Sequence, residues 1–135
     1  MSSSAELQGM FYSTLKGDAP IMAIANGVFD RVPTNPFGTK TAYITLGATD
    51  GTDDTADCID GQEINTTLHI WSRAVGKVEC KRLTDLVRRK LHRASLSLTE
   101  NALVFLEVES TRVFDDPDGL TTHGVVQVRA AVEEA

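Results

Sequence analysis

The sequence predicts an α+β fold in which one long helix and the N-terminal helices pack on one side of a largely antiparallel β-sheet. Three observations lead to this prediction. An alternating segment that ends at Arg73 runs directly into a helical pattern that ends at Leu91. Two apolar, strand-like segments near the C-terminus flank the turn sequence 115–119. Two helical patterns at the N-terminus precede every predicted strand.

The central stretch of the chain predicts a strand that feeds a helix. Residues 66–73 alternate between two faces, with Thr67, His69 and Trp71 on one and Leu68, Ile70 and Ser72 on the other. This period of two is typical of a strand, which we place at 62–73. The following segment, 75–91, has Cys80, Leu83, Val87 and Leu91 at helical spacing. We therefore expect this helix to fold back over the sheet.

The N-terminal region predicts two helices. Apolar residues recur at helical spacing at Leu7, Met10, Phe11 and Leu15. We expect Ser3 or Ser4 to cap this helix and Gly17 to end it. We expect Asp18 to cap a short second helix over 19–25, with Pro20 in its first turn and Asn26-Gly27 closing it.

The remaining strands are predicted at 28–32, 41–49, 101–114 and 120–132. Between the last two lies a turn with a clear chemical basis. Pro117 presets a negative φ, and Gly119 accepts a positive one. The two C-terminal strands are therefore predicted to form an antiparallel hairpin.

Length and charge limit the classes of protein that this chain can belong to. A chain of 135 residues fits one domain, 1–135, and its net charge of −6 argues against a general nucleic-acid binder. Cys80 lies on the apolar helix stripe and Cys58 in an acidic segment, so we expect no disulfide between them. The chain start lacks the features of a signal peptide, and no apolar segment reaches the ~20 residues that span a bilayer, so we expect no membrane partner.

Charge is segregated into two segments. Five aspartates and no basic residue lie in 50–60, namely Asp50, Asp53, Asp54, Asp57 and Asp60. Their spacing does not match a calcium-binding loop, so we predict a solvated, mobile loop and no metal. Seven of the thirteen basic residues follow in the long helix and just beyond it, namely Lys77, Lys81, Arg82, Arg88, Arg89, Lys90 and Arg93. This face is either solvated or a docking surface for an acidic partner, such as a second copy of the chain, with nucleic acid as a third alternative.

The sequence contains little that points to catalysis. His69, His92 and His123 lack the spacing of metal ligands, and no serine has a neighbouring base. No nucleophile-elbow, dinucleotide-binding or Walker pattern occurs. A small α+β enzyme or ligand-binding domain is therefore the more distant alternative, and we predict no cofactor.

Three segments together resemble a known family. They are 29–33 (Phe-Asp-Arg-Val-Pro), 68–73 (Leu-His-Ile-Trp-Ser-Arg) with its helix, and 112–124 (Arg-Val-Phe-Asp-Asp-Pro-Asp-Gly-Leu-Thr-Thr-His-Gly). The combination resembles the tail completion or tail terminator proteins of long-tailed bacteriophages, prophages and gene transfer agents. The likeness extends over nearly the whole chain, and the last segment is the most specific.

The resemblance implies a structural role in a particle that is assembled in the bacterial cytoplasm. Members of the family form a ring, commonly a hexamer, at the head-proximal end of the tail tube. The ring stops tube polymerisation and joins the tail to the head-side connector. The resemblance implies no catalysis. Its partners would be further copies of itself, the tail tube protein, the connector or stopper protein, and DNA in transit through the lumen. A head-side stopper or adaptor is the nearest alternative role.

Four groups of residues are candidates for assembly. The hairpin motif comprises Arg112, Asp116, Pro117, Asp118, Gly119 and His123. The acidic loop is a candidate for facing the lumen or for docking, and Lys77, Lys81, Arg88 and Arg89 are candidates for a subunit or partner face. Trp71 is predicted to be a packing anchor under a helix or a neighbouring subunit.

Overall fold

A five-stranded sheet and three helices make up residues 2–135, the part of the chain described by this computed structural model. The elements are α1 (Ser3–Lys16), α2 (Ala19–Ile24), β1 (Ala25–Phe29), β2 (Ala42–Asp53), β3 (Gly61–Ser72), α3 (Val78–Leu91), β4 (Ala102–Asp115) and β5 (Thr122–Glu133). The strand order is β1-β2-β3-β5-β4. Only the β1–β2 pair is parallel among these strands. The predicted α+β class and the largely antiparallel sheet are confirmed.

The helices pack on one face of the sheet. The predicted apolar stripe of α3 is fully buried at Cys80, Leu83, Val87 and Leu91, as are Leu68 and Ile70 of β3. A Cβ atom at Gly124 of β5 would lie 2.5 Å from the Thr84 hydroxyl and 3.2 Å from the Cys80 sulfur. Helix α3 can approach β5 this closely because position 124 has no side chain.

The helix ends differ slightly from the prediction. Ser2, rather than Ser3 or Ser4, caps α1, because its hydroxyl accepts a hydrogen bond from the Ala5 N–H at 3.1 Å. Asp18 caps α2 as predicted, and its carboxylate accepts from the Ile21 N–H. Helix α3 begins at Val78, after the chain bends through Gly76, which the sequence predicts to lie in the connection and whose φ is +78°.

The start of the first strand was predicted wrongly. Helix α2 passes directly into β1, so Asn26 and Gly27 lie within the strand and do not close the helix. Parallel pairing with β2, which places Val28 opposite Ile44, overrides the turn preference of these two residues. The Asn26 amide donates to the Pro36 carbonyl at 2.8 Å, which anchors the irregular segment that follows.

The acidic segment is largely a continuation of the sheet. Strand β2 continues to Asp53, with Asp50 opposite Asn65 and Asp53 opposite Gln62 of β3. Hydrogen bonds between Ala56 and Ile59 then close the end of the hairpin. The prediction of a loop over 50–60 is therefore wrong for its first part, although the aspartate side chains are exposed as expected. We call residues 50–61 the acidic arm.

The C-terminal hairpin is confirmed. Strands β4 and β5 pair in antiparallel orientation from Ala102–Glu133 to Asp115–Thr122. Strand β5 also pairs with β3 along its whole length, and the Thr67 hydroxyl donates to the Gln127 side chain at 2.9 Å. No helix within residues 2–135 is long and apolar enough to cross a bilayer.

Candidate functional site

The face of the sheet opposite the helices carries an aromatic cluster around Trp71. Its ring stacks on His123, with centroids 3.9 Å apart, and also on His69 and Tyr43 at 5.9 and 6.3 Å. The Trp71 indole N–H donates to the Thr45 hydroxyl at 3.1 Å. We call this side of the sheet the open face.

The strand alternation explains the position of Trp71. Leu68 and Ile70 point into the core beneath the helices, so Trp71 points to the other side and remains half-buried. The helices of residues 2–135 lie on the other face of the sheet, so they do not cover Trp71. A neighbouring subunit remains as the proposed partner.

Two histidines are coupled within this cluster. The His69 Nδ1 and His123 Nε2 atoms are 2.8 Å apart, so one nitrogen donates a hydrogen bond and the other accepts it. Burial lowers the pKa of both histidines, and a positive charge on His69 would lower the pKa of His123 further. Asp116 opposes this effect at His123. The shared hydrogen bond therefore joins neutral rings near pH 7.

The predicted turn residues form a compact hydrogen-bonded hairpin end. The Gly119 N–H donates to the Asp116 carbonyl at 3.0 Å, and Gly119 has a φ of +72°. The Asp118 carboxylate accepts from the backbone N–H groups of Leu120 and Thr121 and from the Thr121 hydroxyl, each at 2.8 Å. The hydrogen bond from Leu120 is the main cause that lowers the pKa of Asp118.

The other two residues of the hairpin motif lie on the flanking strands. His123 is 4.9 Å from Phe114 between ring centroids, and the Arg112 guanidinium lies over the Phe114 ring at 4.8 Å. The structure thus brings Arg112 and His123 to one aromatic side chain beside the turn. The assembly role of this motif remains a proposal.

Sequence reasoning missed a charged cluster on the open face. The Arg129 guanidinium lies 3.3 to 3.4 Å from the carboxylates of Glu63, Glu107 and Glu109. These residues come from three strands, so their proximity depends on the register that places Glu107 opposite Arg129. The cluster adds acidic character to the half of the open face nearest the acidic arm.

Part of the basic helix face is neutralised within the chain. Arg88 and Arg89 both contact Asp85 at 2.8 Å, and Lys77 lies 3.3 Å from Asp115. A groove of about 320 Å³ runs between α3 and the edge strand β4. Its lining residues are Lys81, Thr84, Asp85, Arg88, Thr111, Arg112 and Val113. We call it the α3–β4 groove.

The acidic arm projects from the end of the sheet that lies opposite the 115–119 turn. All of its residues up to Asp60 are exposed, and Ile59 exposes 45% of its surface although it is apolar. Cys58 is exposed as well and has a positive φ of 63°. Within residues 2–135 no group of three or more His, Cys, Asp or Glu side chains is arranged to hold a metal ion.

These surfaces define a class of protein. A half-buried aromatic cluster on the open face, an acidic arm at one end of the sheet and basic residues along α3 are typical of a subunit that binds other protein subunits. Comparisons with known proteins agree with this class. The sequence profile of the family described as "Tail completion protein gp17" matches residues 11–133.

The fold is also similar to that of a solved structure. A chain of a structure described as "Virion of native gene transfer agent (GTA) particle" superposes with a TM-score of 0.87 and 25% identity, over 98% of both chains. A comparison with curated protein sequences gave no significant match. The chain belongs to the tail completion protein gp17 family and is a structural protein of the tail of a virion-type particle.

Proposed function

We propose that this protein forms a homo-oligomeric ring, a hexamer, at the head-proximal end of the tail tube. There it ends tube polymerisation and joins the tail to the head-side connector. The observation that carries this proposal is the family match over residues 11–133, since members of that family complete tails. The partners are then other copies of the chain, the tail tube protein and the connector protein, while DNA passes through the lumen.

The sheet edges support the ring. Strand β4, of 14 residues, has no strand neighbour on its outer side within residues 2–135, and residues 92–93 hydrogen-bond to its backbone only at Leu106 and Val108. Strand β1 covers only the part of β2 from Ala42 to Thr45, which leaves the edge beyond Leu46 uncovered. Exposed edges tend to pair with other chains, and a closed ring covers each of them with the next subunit. Six copies of the 14.6 kDa chain give a ring of about 88 kDa.

Electron microscopy of particles that lack this protein tests the proposal. Because nothing would then stop the tube, we expect overlong tails and heads without tails. Tails of normal length on heads that leak DNA would instead identify a head-side stopper. Normal, joined particles would contradict both roles.

The subunit number is tested separately, by imaging the complete particle. A ring of another order would correct the number alone. A single copy of the chain per particle would contradict the ring, whatever the deletion shows.

A further inference from the structure

The acidic arm and the α3–β4 groove carry opposite charges. The arm contains Asp50, Asp53, Asp54, Asp57 and Asp60 and no basic residue. Among the residues that line the groove, Lys81 and Arg88 are basic, and Asp85, which contacts Arg88, is acidic. The guanidinium of Arg112, which also lines the groove, lies over the Phe114 ring. The two surfaces therefore attract each other when they come within about 8 Å, the Debye length at physiological salt.

The arm and the groove of one subunit are too far apart to meet. Leu68 of β3 lies opposite Val126 of β5, which lies opposite Thr111 at the groove. From Leu68 to the base of the arm at Gly61 the strand covers roughly 23 Å at 3.3 Å per residue, and the arm extends further away. A contact between the two surfaces must therefore join different subunits.

We propose that the acidic arm of one subunit docks in the α3–β4 groove of the next copy of the chain. The inference rests on the ring proposed above and identifies the contact that builds it. Because the arm and the groove are different patches, each copy can offer one and receive the other. Such a head-to-tail contact repeats around the assembly until the ring closes.

The tip of the arm is suited to this role. Its backbone is held by two hydrogen bonds between Ala56 and Ile59, at 3.0 and 2.9 Å, so little conformational entropy is lost on docking. Ile59 is exposed in the free chain and would be buried against Val113 in the groove. The aspartates on either side of the tip would face Lys81 and Arg88.

A natural thiol at the tip allows a direct test. Cys58 is exposed, whereas Cys80 is buried and its pKa is raised to about 11, mainly by burial. We would introduce Thr111→Cys, at an exposed groove position, into particles and oxidise them. A disulfide requires Cα atoms within about 7 Å, so a bond between residues 58 and 111 reports docking.

The expected result is a ladder of covalent oligomers on a non-reducing gel, up to the full ring. Two matched controls should give only monomers. One is Thr111→Cys combined with Cys58→Ser, and the other is Ser13→Cys, an exposed position on α1.

Two outcomes would overturn the inference, and they differ in what they leave standing. If particle images show a ring but the gel shows no ladder, or if Ser13→Cys gives an equal ladder, the docking of the arm is contradicted. The ring itself is not. That result would favour an arm that faces the lumen. One copy of the chain per particle sinks the inference and the proposed function together.

A charge swap provides a second readout that does not depend on oxidation. Asp57→Lys and Lys81→Glu each place like charges at the contact, so either change should reduce the amount of protein in purified particles. The double variant restores opposite charges and should recover incorporation. A double variant that incorporates no better than the single ones would contradict the pairing.

Discussion

The indole ring of Trp71 lies against the imidazole of His123, with centroids 3.9 Å apart and planes inclined by only 13°. The same imidazole shares a hydrogen bond with His69. The only tryptophan of the chain therefore reports on both the protonation of a histidine pair and the covering of the open face.

The first prediction concerns pH. Burial lowers the pKa of His69 and His123 below the ordinary value of 6.5, so the unfolded chain binds more protons than the folded one just below pH 6.5. The stability that these two histidines contribute is therefore fully present above pH 6.5. It is lost as the pH falls from there through their folded-state pKa values. Urea unfolding at pH 7.5 and 5.5, followed by Trp71 emission, measures this loss.

The matched control for the pH prediction removes both titrating rings. The double variant His69→Gln/His123→Gln should lose less stability between pH 7.5 and 5.5 than the wild type. An unchanged pH dependence in the double variant would refute the assignment to these histidines.

The second prediction concerns the hairpin turn. Gly119 has a φ of +72°, where a β-branched residue is strained, so Gly119→Val should cost about 1–3 kcal/mol of unfolding free energy. Asp118→Asn keeps the Oδ1 acceptor for the N–H groups of Leu120 and Thr121 and should cost less. Thermal melting compares the two variants, and equal melting temperatures would count against a strained position 119.

The third prediction concerns the contact between α3 and β5. A methyl group at position 124 would overlap the Thr84 hydroxyl, so Gly124→Ala should destabilise the fold by about 1–3 kcal/mol. Gly9 of α1 is a matched control, because a Cβ there meets nothing within 4 Å. Gly9→Ala should stabilise the chain by about 0.5–1 kcal/mol. Chemical unfolding measures the change in unfolding free energy for both variants. An unchanged value for Gly124→Ala would contradict the prediction and mean that the helix can shift without cost.

The fourth prediction concerns the open face. If a neighbouring subunit covers it, the emission maximum of Trp71 should move to shorter wavelength when the free chain enters the particle. Trp71→Phe particles supply the background from the other proteins. An emission maximum typical of full exposure in the assembled state would show that this face stays in water.

Local chemistry made several parts of the fold predictable. Pro117 and Gly119 specify the turn between β4 and β5, and the spacing of Leu83, Val87 and Leu91 specifies the buried face of α3. The aromatic face was also predictable, because Trp71 and His69 alternate with buried Leu68 and Ile70. In each case a short stretch of sequence contains the whole signal.

Other features depend on partners that are distant in sequence. Aspartates disfavour strands, yet Asp50 and Asp53 lie in β2 because β3 supplies a complete set of hydrogen-bonding partners. The cluster around Arg129 needs the register of three strands, which no local pattern gives. The α3–β4 groove likewise exists only once α3 has packed beside the edge strand.

The pairing of β3 with β5 has a consequence for the order of folding events. Strands β2 and β3, and strands β4 and β5, are hairpins that close over short loops, whereas Thr67 and Gln127 meet across 60 positions of sequence. Closing the longer loop costs more entropy, so we expect the two hairpins to form first and their union along β3 and β5 to limit the folding rate. We expect Thr67→Ala, measured by stopped-flow kinetics, to slow folding more than Thr52→Ala in the acidic arm. A chain that is slow to complete this union remains as two half-sheets during synthesis, and each of them exposes an edge that the finished sheet covers.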